Sequence, residues 1–247
     1  MTPWYRLGYL TPHRVIDTLP YQFYLFAPPG VMLVVGGTDL EAYERDAAEA
    51  ALASSQPLLD AMVARHVDRI AIAGVPLAAA LGRERMTRSL AELTERAGIV
   101  VDTDLEAIIR GIHHLKVERV ALATRWKPEV MAAVGAYLQS AEIEVVGEVA
   151  RGRTLAENAA LTDADGMRMA IELGRSVLRS NPTAQGLVLP GLRWIASDAI
   201  PVLEREFGCP VFANVSASSW AALHASDWRG TIEGGGRLLA SLAGEAT

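Results

Sequence analysis

Apolar residues along this chain follow two alternating patterns. Short β-branched runs give way to longer segments in which apolar positions recur every three or four residues. The runs predict strands at YRLGYL (5–10), VMLVV (31–35), RIAIA (69–73), IVVD (99–102), RVALAT (119–124), IEVVGEV (143–149), GLVLP (186–190) and PVFAN (210–214). The segments between them predict helices over 40–65, 84–97, 105–115, 128–140, 165–179, 197–207 and 216–225. Strand and helix in alternation describe parallel strands with helices on both faces, an α/β architecture. Thr38-Asp39-Leu40-Glu41 has capping-box spacing ahead of the first long helix, and Pro128 suits a first helical turn. TDADG at 162–166 lacks the later acidic ligands of a calcium loop and reads as a turn before a helix, while the glycines at 234–236 introduce a last one.

One order of elements occurs twice. RIAIAGVPLAAALGRERMTRSLAELTERAGIVVDTDLEAI reads strand, glycine, helix, strand, helix, and GLVLPGLRWIASDAIPVLEREFGCPVFANVSASSWAAL repeats it. Each unit puts a glycine, Gly74 or Gly191, just beyond a strand's carboxyl end, where open α/β sheets bind ligands. All βαβ units share such an order, so spacing alone slightly favours that common geometry over a repeat. Two facing lobes, residues 1–115 with 216–247 and residues 116–215, would bring both glycines to one cleft.

Composition narrows the function classes. The 247 residues, 51% hydrophobic and 21% charged, suffice for a large core, which at 6% aromatic content is one of Ala, Val, Leu and Ile. A net charge of -6 with scattered Lys and Arg disfavours nucleic acid as a partner. Apolar stretches break before the roughly 20 residues that cross a bilayer. The opening MTPWYRLGYL lacks a signal-peptide pattern, so a cytoplasmic protein with no membrane partner is expected. A single cysteine, Cys209, excludes an internal disulfide or a multi-cysteine metal site and reads as a small buried thiol.

Candidate chemistry sits at the strand ends. Arg125, Lys127 and Arg193 flank them, and an arginine can hold a carboxylate through two parallel hydrogen bonds. Each cation alone reads more simply as a solvated loop residue, with Arg193 the preferred exception because it follows Gly191 in an apolar loop. His13, in LTPHR, can exchange a proton near neutral pH, as can a solvated loop histidine without any function. His113 and His114 are adjacent on a helix and point apart, which disfavours a metal pair, and His66 and His224 read as helix-end residues. Asp102, Asp104 and Asn214 follow strand ends. Helix capping suits Asp104, and Asn214 stays open as a ligand contact.

The second unit quoted above, together with RVALATRWKPEVMAAVGAYL, RIAIAGVPLAAALG and the LGYLTP start, resembles the aspartate/glutamate racemase superfamily, in its arylmalonate decarboxylase and maleate isomerase branch. The likeness covers most of the chain, and the DAIP run with its following helix is the more specific part. It implies two pseudo-symmetric lobes with parallel sheets, an active site in the cleft between them, a small carboxylate substrate, no metal, no organic cofactor and a homo-oligomer. It also implies a catalytic cysteine in each lobe for racemases and isomerases, and in the decarboxylase only the second, as proton donor. Those two positions fall on Gly74 and Gly191 here. Two-base racemisation and isomerisation by thiol addition are disfavoured accordingly.

By the same resemblance, substrate contacts fall on Thr11, Pro12, Gly74, Val75, Pro76, Thr124, Arg125, Trp126, Pro190, Gly191 and Leu192, with Asn214 beside them. Amides at glycine loops can hold a carboxylate or a developing enolate. Val75 and Pro76 stand where the decarboxylase pattern has hydroxyls, and Trp126 where a tyrosine is implied. The expected enzyme is a cofactor-independent lyase that decarboxylates or performs related enolate chemistry without a thiol, with His13 and Arg193 as catalytic residues. The alternatives are a maleate isomerase-like or hydratase/hydrolase activity with a non-thiol acid or base, and a non-catalytic small-acid-binding protein.

Overall fold

The computed structural model describes residues 2–38 and 42–244. All eight expected strands form, in two parallel sheets. The first holds β1 (Tyr5–Thr11), β2 (Val31–Gly37), β3 (Arg69–Ile72) and β4 (Val101–Thr103). The second holds β5 (Arg119–Trp126), β6 (Glu144–Arg153), β7 (Gly186–Leu189) and β8 (Val211–Ala213). Their orders, β2-β1-β3-β4 and β6-β5-β7-β8, are the same order written twice. β3 and β7 therefore hold equivalent places, and the likeness between the two units extends to topology.

Burial explains the runs. Leu7, Ile70, Leu122 and Val188 are fully buried because helices cover both faces of the inner strands, whereas the edge strands β2 and β6 alternate with partly exposed positions. The helix expected over 40–65 is two helices, Arg45–Ser54 and Gln56–Ala64. Pro57, in the first turn of the second, cannot donate to an uninterrupted helix and clashes with the carbonyl four residues back, which breaks the run at Ser55. Residues 39–41 of the capping-box stretch, and with them the expected start at residue 40, lie outside the described residues. TDADG is not a turn before a helix: Thr162 caps helix Asp163–Ser180, its hydroxyl accepting from the Asp165 N–H at 3.2 Å, so the aspartates form the first turn. Helices Thr18–Phe26, Val75–Leu81 and Leu155–Ala159 were not expected, being too short to establish a period.

Two features join the lobes. Helix Asn214–Ala225 leaves β8 of the second sheet and packs on helices Asp104–His114 and Thr18–Phe26 of the first. Across the same divide, the Tyr137 hydroxyl donates to Glu106 at 3.0 Å, and Arg83 reaches both Glu106 and the Ser140 carbonyl. Cys209 is a free, buried thiol, and burial pushes its pKa up. No helix among the described residues is long and apolar enough to cross a membrane.

Candidate active site

Strand carboxyl ends from both sheets converge on one cavity. Pro12 and His13 follow β1, Gly74 to Pro76 follow β3, Arg125 and Trp126 end β5, Gly191 and Leu192 follow β7, and Asn214 follows β8. Tyr43 completes the lining. The space enclosed is about 20 Å³, and a single water needs about 10 to 15 Å³. A wider cleft of about 490 Å³ shares Tyr43 and Pro76 with it and carries Lys127 and Arg153 on its wall.

A buried cation lines this small cavity. Strand β5 continues two residues past its expected end, so Arg125 is a strand residue rather than a loop cation, and it is only 3% exposed. A register shift in the β5–β6 pairing between Thr124 and Trp126 breaks the strand's regular alternation. Such an irregularity re-aims side chains, and here two consecutive residues, Arg125 and Trp126, line one cavity. The guanidinium lies 5.2 Å from the Trp126 ring and 5.8 Å from that of Trp194, a stacking that suits its flat, weakly hydrated face. A Cβ on Gly191 would run into Arg125 Nη1 and come within 3.0 Å of Cζ, and Gly191 has φ +126°. Glycine suits this position because the backbone turns where L-residues are strained, and a side chain would also have to displace the far end of the arginine.

Arg125 has no carboxylate partner among the described residues. Its Nε and Nη1 are buried without a hydrogen-bond partner. Burial lowers its pKa to about 10, opposed by Tyr43 and reinforced by Arg193 and Arg153 nearby. It remains charged at neutral pH. An uncompensated buried charge costs on the order of several kcal/mol, so this arrangement favours an anionic ligand. Trp126 Nε1 and the Asn158 amide lie beside the Tyr43 hydroxyl, and hydrogen bonding from both to its oxygen favours the ionised phenol. Burial raises the Tyr43 pKa, against the pull of Arg125.

On the other side of Gly191 the polar groups are fully paired. The Gly191 N–H donates to Asn214 Oδ1 at 2.7 Å, Asn214 Nδ2 donates to Asp104 Oδ2 at 2.7 Å, and Tyr9 and Ser218 hydroxyls also donate to Asp104. The Leu192 carbonyl accepts from Thr18 Oγ1 at 2.7 Å. Two expectations are corrected by this. The Gly191 amide is not presented to a ligand, since Asn214 takes it, and both ends of the Asn214 amide are engaged although the residue lines the cavity. Asp104 does not cap its helix: Thr103 does, accepting from the Glu106 N–H at 3.1 Å. Burial of Asp102 is outweighed by Arg110 and Arg69, which hold its carboxyl below the usual range.

The remaining candidates separate cleanly. Pro12, His13, Gly74, Val75, Pro76, Arg125, Trp126, Gly191, Leu192 and Asn214 meet at the cavity, whereas Thr11, Thr124, Pro190 and Arg193 are not among its lining residues. Thr11 is buried behind it, its hydroxyl accepting from the His13 N–H at 3.3 Å and its carbonyl from Thr38. Thr124 is fully buried within β5. Arg193 does not line the cavity: its Nη2 lies 3.4 Å from the Val15 carbonyl and its Nε is buried without a partner, while its charge still reaches Arg125 and Tyr43, so the cation lining the cavity is Arg125 and not the arginine preferred from sequence. Tyr43 and Asn158 were missed. The one available signal for Tyr43 was its place after β2, whose carboxyl end faces the cleft like its neighbours.

Two four-stranded parallel sheets with a cation-lined cavity at their strand ends define a two-lobed α/β fold. The arylmalonate decarboxylase family model matches residues 21–239, and the chain belongs to that family. It is 29% identical over 131 residues to an arylmalonate decarboxylase of Bordetella bronchiseptica, covering 53% of each chain. It is 28% identical over 163 residues to a maleate isomerase of Nocardia farcinica, covering 63% of this chain and 61% of the relative. The chain thus matches little more than half the length of these curated relatives. The solved structure of unliganded arylmalonate decarboxylase superposes with a TM-score of 0.82 at 22% identity, covering 96% of this chain and 99% of that one. The Nocardia farcinica maleate cis-trans isomerase bound to TRIS gives 0.83 at 20% identity, over 96% and 98%. At these identities the superpositions speak to the fold, which is the two-lobed arrangement expected.

Proposed function

We propose that this chain is a cofactor-independent enzyme acting on a small carboxylic acid, arylmalonate decarboxylase-like but working without a catalytic cysteine. The observation that carries the reading is Arg125: a charged guanidinium, buried between two indoles, unpaired, and facing the cavity shared by both lobes. A substrate carboxylate would pair with the Arg125 guanidinium through its unpartnered Nε and Nη1. When the neighbouring carbon–carboxylate bond breaks and carbon dioxide leaves, its electron pair passes into an enolate of the retained carboxylate, and the same guanidinium stabilises the added charge. The carbon then takes a proton from His13 or from water. The rest of the substrate passes Tyr43 and Pro76 into the wider cleft.

Incubating the protein with phenylmalonate tests this directly. Release of carbon dioxide with formation of phenylacetate, lost in Arg125→Gln, is the expected result. Binding of phenylmalonate without turnover over a panel of malonates and unsaturated acids would move the chain to the second reading, a small-acid-binding protein. That reading is favoured by the same cation, which can bind an acid whether or not a proton donor stands beside it.

A further inference from the structure

Asp104 is fully buried, stands off the cavity wall and forms no ion pair with a lysine or arginine among the described residues. Three neutral donors converge on it instead: Tyr9 of β1, and Asn214 and Ser218 of the helix that joins the lobes, the last two at 2.7 Å. An ionised carboxylate only accepts hydrogen bonds. It therefore imposes one orientation on the Asn214 amide, with Nδ2 turned to Asp104 and Oδ1 turned to the Gly191 N–H. The Gly191 peptide is thereby fixed with its Cα against Arg125, and Thr18 pins the next carbonyl from the first lobe.

We infer that Asp104 is a positioning residue for the Arg125 site: through Asn214 it sets the Gly191 peptide and with it the wall against which the guanidinium lies. The inference rests on the reading of Arg125 as the carboxylate-binding group. The groups facing Asp104 from the elements around it are Tyr9, Asn214, Ser218 and, from β4, Asp102. Burial pushes the Asp104 pKa up to about 6, with hydrogen bonds from Tyr9, Ser218 and Asn214 opposing and the Asp102 charge adding to the rise. The Tyr9 phenol, held well above its usual range by burial and by Asp104, stays protonated. Once protonated, Asp104 can donate as well as accept, and the orientation of Asn214 is no longer imposed.

The test is amide NMR of the whole chain across pH, paired with phenylmalonate titrations. In the wild type the Gly191 amide resonance should move with a midpoint near 6, and phenylmalonate affinity should fall as pH drops through that midpoint. Asp104→Asn should abolish the Gly191 transition and weaken phenylmalonate about tenfold at neutral pH, the coupling expected within one hydrogen-bonded chain. In an Arg125→Gln background the same change should leave the residual affinity as it was. Asn214→Ser, which cuts the next link, must reproduce the loss of the transition if Asp104→Asn does not fold. A Gly191 resonance indifferent to pH, or an Asp104→Asn protein with wild-type affinity, overturns the positioning role while leaving Arg125 standing. Absence of phenylmalonate binding in the wild type removes both.

Discussion

The two glycine loops occupy equivalent places in the two sheets and differ in what faces them. Gly74, with φ +108°, has its nearest atoms for an added Cβ at 3.4 Å, on Leu77 and Pro12, an ordinary contact distance. Gly191, with φ +126°, has the Arg125 guanidinium where a Cβ would go. The first loop has just enough room for a Cβ, packed against Leu77 and Pro12, and the second has a cation in that place. Backbone conformation accounts for glycine at both positions, and at the second a side chain would also have to displace the far end of Arg125. A repeat of topology has thus been put to two uses: one lobe shapes the cavity wall and the other charges it.

The largest effect expected from breaking this asymmetry is the loss of the cation. Arg125→Gln should weaken carboxylate binding on the order of 100-fold, about 2.8 kcal/mol at roughly 1.4 kcal/mol per tenfold, within the range for truncating one partner of a buried charge pair. Calorimetry with phenylmalonate checks it, and an effect below about threefold would count against Arg125 as the binding group. Arg125→Lys should recover little, since a point charge neither stacks on two indoles nor presents a fork.

Next comes the comparison of the glycines themselves. Cysteine at either position pays for a positive φ, about 1 kcal/mol or more. Gly191→Cys also drives its side chain into Arg125, adding about 1 to 3 kcal/mol of overpacking. Urea unfolding should rank Gly191→Cys as the less stable, and Arg125→Ser in the same chain should recover part of the difference. Equal losses at the two positions, or no recovery, would show that Arg125 yields freely and does not define the second loop.

How much of this was legible beforehand follows from what each feature depends on. All eight strands were readable because inner parallel strands are continuous apolar runs, and the cleft was placed because strand carboxyl ends collect ligand groups. Arg125 and Arg193 were both visible as cations. Their relative merit turned on a register shift between Thr124 and Trp126 and on the two extra residues of β5, neither of which has a signature in residue type. Asp104 read as a cap because Asp is a good cap. Its true environment, donors from Tyr9 and Ser218, comes from residues 95 and 114 positions away. Tyr43 follows a stretch that is not described, and nothing periodic announces it.

A smaller effect concerns pH. The Asp104 carboxyl keeps its proton up to about 6 in the folded chain against an ordinary value of 3.8, so between those values the native state binds more protons than the unfolded one. The stabilisation this brings is complete below about pH 3.8 and is lost as pH rises through about 6. Asp102 works the opposite way, its lowered pKa giving stability that is lost as the solution turns acid. Denaturant midpoints for wild type and Asp104→Asn, measured together across this range, should converge at the acid end and separate toward neutrality with the variant gaining relative to wild type. Parallel curves would mean that Asp104 titrates normally.

The smallest effect sharpens the choice between the two arginines. Arg193 influences Arg125 only through charge, lowering its pKa, and Arg125 at about 10 is fully protonated at neutral pH with or without that influence. Arg193→Gln therefore leaves the charge at the cavity unchanged and removes only a partly exposed neighbour whose field water screens. Phenylmalonate affinity should change by about threefold or less, against the far larger loss for Arg125→Gln. The direction is a weakening, because one attractive charge is gone, and raising the salt concentration should shrink it further. Were Arg193→Gln instead to match Arg125→Gln, the ligand would have to reach past Leu192 to a cation that does not line the cavity, and the second lobe's site would lie on the Val15 side of the loop.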